Sequence, residues 1–133
     1  MVSVKAALLG LRSHLESIAG YPVYTGQFME EGNAKEALVL ADEGDPWSLG
    51  LKTKAFGVVI YFRYRLNMIE PVTPNLVFYE DDVIDEVGTL LQRIMFKTIP
   101  PGLTLVDERT GFGHNEETHC YECITRMRAT IGR

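Results

Sequence analysis

AFGVVIYFRYRL, residues 55–66, is the longest run of β-branched and aromatic residues in the chain. At the two-residue period of a strand it puts Phe56, Val58, Ile60, Phe62, Tyr64 and Leu66 on one face. Ala55, Gly57, Val59, Tyr61, Arg63 and Arg65 fall on the other. The first face is wholly apolar or aromatic, which marks it as the floor of a core. The second begins small and apolar and ends in two arginines, a mixture that suits neither open water nor a second buried layer.

The flanking sequence supplies what would cover that floor. Over residues 3–19, Val4, Ala7, Leu8, Leu11, Leu15 and Ile18 recur at spacings of three and four, an amphipathic helix with Ser3 as N-cap and Gly20 as its stop. Residues 21–33 read as a loop or weak edge segment, and residues 35–42, KEALVLAD, as a strand. The stretch that follows, EGDPWSLG at residues 43–50, is longer than a hairpin needs and places the single tryptophan, Trp47, amid polar punctuation.

Beyond the opening strand, Pro71 and Pro74 make residues 67–75 a loop. Val83, Ile84, Val87, Leu90, Leu91, Ile94 and Met95 then predict a second helix over residues 81–98, ended by Pro100 and Pro101. Residues 103–109 alternate as a strand, residues 110–117 form a glycine-containing turn region, and residues 118–131 form the last strand. Its Ile124, Arg126 and Arg128 share a face opposite Cys123 and Met127. The order of elements predicts one α+β domain over residues 1–133, a two-layer sandwich with a mostly antiparallel four-stranded sheet and two helices on one face. Helices on one side leave the other sheet face, with its aliphatic, tyrosine and arginine groups, as a candidate protein interface.

Composition narrows the function classes. The chain has 133 residues, 46% hydrophobic and 23% charged, enough for one real core. A net charge of −5 argues against gripping nucleic acid through phosphates, though not against letting DNA pass. No stretch reaches the ~18 consecutive apolar residues that span a bilayer. The N-terminal apolar run is broken by Arg12, His14 and Glu16, unlike a signal peptide. The two cysteines are too few and too close for a disulfide framework, which predicts synthesis in a reducing cytoplasm.

Three motifs invite a chemical reading. HCYEC holds His119, Cys120 and Cys123, but in a strand the two cysteines point to opposite faces and cannot converge on zinc. Glu80, Asp81, Asp82, Asp85 and Glu86 could hold a divalent cation, yet acids in a first helical turn are what the helix dipole favours. TGFGHN has glycines that precede a strand, so no helix N-terminus is available for phosphate. No catalytic, cofactor or metal site is expected.

The whole pattern has a likeness. A leading amphipathic helix, the strand EALVLAD, a long loop, the strand KTKAFGVVIYFRYR, the helix DVIDEVGTLLQRI and the terminal HCYECITRMRATI together resemble phage tail terminator proteins, the tail-completion proteins of long-tailed phages. The likeness covers almost the whole chain and is one of element order. It implies a homo-oligomeric ring, usually sixfold, that caps the tail tube protein, ends tube growth and joins the head-closure or connector protein, with DNA running through its centre. The implied place is the virion tail or neck, with no cofactor, no membrane and no enzymatic activity. A head–tail connector or adaptor module acting as a dimer is the alternative.

A ring needs two different patches on each subunit. The expected contact residues are Asp42, Glu43, Asp45 and Trp47 on the long loop, and Val59, Tyr61, Arg63, Arg65, Arg126 and Arg128 on the uncovered face. The arginines would meet Asp42, Glu43, Asp45, Glu30 or Glu31 of the next subunit, charge setting register and orientation.

Overall fold

The computed structural model describes residues 2–28, 33–50, 52–65 and 80–132. Leu66, the acids Glu30 and Glu31 and the proline loop at 67–75 lie outside the described residues.

Helix α1 (Val4–Ala19) starts where the Ser3 side chain accepts the Ala6 amide at 3.0 Å and stops at Gly20, whose φ of 76° is left-handed. Strands β1 (Val23–Thr25), β2 (Lys35–Asp42), β3 (Ser48–Leu49) and β4 (Lys54–Arg65) follow, then helix α2 (Glu80–Ile94) and strands β5 (Thr98–Ile99), β6 (Leu103–Asn115) and β7 (Cys120–Ile131). They form one seven-stranded sheet in the order β1-β2-β4-β7-β6-β5, with β3 also paired to β4. The sheet is mixed, because β1 runs parallel to β2 while the other pairs are antiparallel, and it curls strongly into a half-barrel.

The expected α+β class and two helices stand, but the four-stranded sheet does not. Residues 21–33 contain a true parallel edge strand, β1. The long loop rejoins β4 as β3, with Ser48 opposite Ala55. Strand β6 runs through the region read as a turn, to Asn115, with a bulge between Val106 and Arg109. The turn lies later, at residues 116–119, so the last strand begins at Cys120. Helix α2 ends at Ile94, four residues before the expected end, because Met95 leaves it to bridge Leu105 and Thr98 and Ile99 become β5.

The core face of β4 reads as the alternation predicts. Phe56, Val58, Ile60, Phe62 and Tyr64 are fully buried and pack with Leu11 and Leu15 of α1, Val87 and Ile94 of α2, and Leu105, Met127 and Ile131 of β6 and β7. Inside, the Tyr21 and Tyr64 hydroxyls bond each other at 2.9 Å with their rings edge to face. Among the described residues no helix is long and apolar enough to cross a membrane.

Candidate interaction surface

The second face of β4 sits at the centre of the outer side of the sheet, between β2 and β7. Although neither described helix covers it, Leu38 and Val59 are buried, as are Glu36 and Asp42. Polar and aromatic side chains of the face itself close over them, so the surface presents two organised clusters rather than a bare sheet.

The first cluster is built on Glu36, which is 3% exposed and directly opposite Arg63 in the β2–β4 register. Its Oε1 accepts from Arg63 Nε at 2.7 Å and from Arg63 Nη2. Its Oε2 accepts from Asn33 Nδ2 at 3.2 Å, and that amide nitrogen also donates to the Tyr24 hydroxyl. The Arg63 guanidinium lies 3.9 Å from the centre of the Phe28 ring, which meets Tyr24 edge on. A buried carboxylate needs such partners, since isolated burial of its charge would be prohibitive.

The second cluster is the long loop folded over Gly57. Asp42 Oδ1 accepts the Gly44 amide at 3.1 Å and its carbonyl accepts Trp47 Nε1 at 3.2 Å, which closes the loop on itself. Asp42 Oδ2 accepts from Arg126 Nη1 at 2.9 Å, across the intervening β4. Arg128 Nη1 donates to the Pro46 carbonyl. Gly57 makes the approach possible: a Cβ there would stand 2.7 Å from Asp45 Oδ2 and 2.9 Å from Asp42 Cβ. Trp47 lies against Phe56, ring centres 5.4 Å apart, with 40% of its surface exposed.

The structure thus gathers Asp42, Asp45, Trp47, Arg126 and Arg128 at one place, with Glu43 exposed on the loop. Arg63 belongs to the Glu36 cluster and Val59 is buried between the two. Tyr61 is half-buried, and Arg65 stands exposed at the strand end opposite Cys120. Arg63 and Arg126, expected to meet carboxylates of another subunit, have carboxylate partners in their own chain. Glu36 was missed, and only the pairing register of β2 with β4 identifies it as the Arg63 partner.

The chemistry of the remaining motifs is muted. Cys120 shares the outer face with Arg65 and Asn115, while Cys123 lies in the core beside Phe62, so the two thiols do not converge. Burial pushes the Cys123 thiol up to about 12. Among the described residues no group of three or more His, Cys, Asp or Glu side chains is placed to hold a metal ion.

No protein-family model matches the chain, and no curated protein matches it. Among solved structures, the fold is similar to a chain of the virion of a native gene transfer agent particle, with a TM-score of 0.57 and 10% sequence identity. The match covers 98% of this chain and 100% of that one. At such identity the likeness is one of fold, extending over nearly all of this chain and the whole of that one.

Proposed function

We propose that this protein is a structural component of a phage-like virion and, more narrowly, a tail terminator. In this reading its subunits close into a ring on the last ring of tail tube protein, stop tube growth and offer the other side to the head connector. The end-to-end fold likeness to a gene transfer agent virion chain carries the proposal. Two further features support an assembly role over catalysis. On the outer face Glu36 with Arg63, and Asp42 with Arg126 and Arg128, hold an edge and a loop in place. Strand β6 beyond Leu105 also has no second strand partner among the described residues, which gives a neighbour a place to pair. The net charge of −5 suits a channel through which DNA slides without being held.

The test is production of particles in cells lacking the protein. A terminator's absence gives tails of irregular, excessive length and heads without tails. Tails of normal length overturn the terminator role, and absence of the protein from purified particles overturns the virion reading altogether.

A further inference from the structure

One end of the molecule differs from the rest in charge. The start of β4, the end of β7 and the start of β6 meet there in register, Lys54 with Ile131 and Ile131 with Leu103. The start of α1 joins them, through Lys54 Nζ donating to the Val2 carbonyl at 3.2 Å, and so does the end of α2, through Met95 bridging Leu105. The described residues of this end, 2–6, 48–50, 52–55, 92–104 and 129–132, carry Lys5, Lys52, Lys54, Arg93 and Lys97 and no carboxylate. At the opposite end, the turn after β6 and the first turn of α2 carry Glu116, Glu117, Glu80, Asp81 and Asp82. Arg65 stands among them, and Lys35 is paired to Glu86 at 2.8 Å.

Phe96 stands on the basic end between Arg93 and Lys97. It is 76% exposed, and its φ of 61° is left-handed. Its amide donates to the Leu105 carbonyl at 3.0 Å, which fixes the backbone. Of the non-glycine residues with such a φ, Asp107 and His119 are types that tolerate it, whereas a bulky aromatic is an outlier. Glycine or asparagine would end the helix better. The ring neither joins the core nor improves the cap; its backbone is tied to Leu105, and Arg93 and Lys97 flank it in the sequence. That is how an interface anchor is built, an aromatic held in place beforehand and a charged rim that orients the partner.

We propose that Phe96 and its basic rim are one half of a head-to-tail contact whose other half is the acidic end of a second copy of this chain. The proposal rests on the assembly reading above and names the surfaces that would carry it. The two ends are complementary in charge and different in composition, as a heterologous contact requires.

Phe96→Gly in the full chain separates anchoring from folding, because the two roles predict opposite signs. As an anchor, its loss weakens self-association at least tenfold by sedimentation velocity, while the thermal midpoint of the dissociated subunit stays or rises once the left-handed position is held by glycine. Wild-type association should also weaken as salt is raised. Arg93→Glu with Lys97→Glu should dissociate the assembly, and adding Glu116→Lys with Glu117→Lys should restore it. Wild-type assembly of Phe96→Gly, or failure of the fourfold reversal to restore it, overturns the contact while leaving a ring built on other surfaces intact. A wild-type chain that stays monomeric overturns the contact and the ring together. A short DNA duplex bound by the wild type and not by the Arg93→Glu, Lys97→Glu variant assigns this end to phosphates instead, which also overturns the proposal.

Discussion

Glu36 and Arg63 face each other across β2 and β4, and the arginine grips one carboxylate oxygen through both Nε and Nη2 while Asn33 takes the other. The carboxylate is nearly closed off from solvent, whereas Arg63 keeps 22% of its side-chain surface in water and stacks on Phe28. The two partners therefore stand to lose unequally. Glu36→Ala leaves a half-buried guanidinium without its anion and should cost about 2–3 kcal/mol of stability, while Arg63→Met leaves a carboxylate that has lost two of its three donors and should cost more, about 3–4 kcal/mol. Urea unfolding of both variants checks the order; equal costs below about 1 kcal/mol would show that solvent already screens the pair.

Two glycines predict opposite outcomes for the same substitution. Gly57→Ala drives a methyl group into Asp42 and Asp45 and should cost about 1–3 kcal/mol, with the loop lifted off the sheet and Trp47 emission shifted to longer wavelength. Gly88→Ala, in the interior of α2 with nothing within 4 Å of the added carbon, should stabilise by about 0.5–1 kcal/mol through helix propensity. Thermal midpoints moving in opposite directions confirm that close approach, and not backbone freedom, keeps the glycine at 57.

The uneven legibility of the sequence has physical causes visible in these same elements. The core face of β4 and the α1 helix were readable because long segments repeat their period several times. Strands β1, β3 and β5 have three, two and two residues, too few for any period to register. Distal β6 looked like a turn because Gly111 and Gly113 interrupt its alternation, yet β7 supplies a partner for every residue from Arg109 to Asn115. The helical spacing of α2 continues into Met95, where a backbone bridge to Leu105 ends the helix, a tertiary contact that local pattern does not encode. On the outer face the residue types suggested charge pairing, but which acid meets which arginine depends on register and on Gly57 leaving room for the loop.

Alkaline pH should weaken the fold from within. Burial, foremost, pushes the Cys123 thiol up to about 12 and the Tyr21 and Tyr64 hydroxyls above their usual 10, so the folded chain holds these protons more tightly than the unfolded chain does. Their contribution is complete below about pH 8.5, the unfolded thiol value, and is lost as pH rises through about 9 to 12. The urea midpoint should be level between about pH 7 and 8 and fall steadily beyond about pH 9. Iodoacetamide should reach Cys123 only at the rate of global unfolding. A midpoint unchanged at about pH 11 would mean that the groups ionise in place.

Asp42 and Arg126 share an ion pair at 2.9 Å but not its weight. The arginine side chain is 49% exposed and the aspartate side chain 9%, and Asp42 also accepts the Gly44 amide and, through its carbonyl, the Trp47 indole. Arg126→Met should cost no more than about 1 kcal/mol, as expected of a half-exposed pair, whereas Asp42→Ala, which removes a buried acceptor from the loop, should cost about 1–3 kcal/mol. Both should loosen residues 43–47, seen as faster proteolysis there and a shift in Trp47 emission. The same variants distinguish how Arg126 serves an assembly. If it acts by holding its own loop in shape for a neighbour, self-association falls in step with the change in Trp47 emission. An arginine that instead reached a neighbour's carboxylate on assembly would lose association in Arg126→Met while Trp47 in the isolated subunit kept its emission.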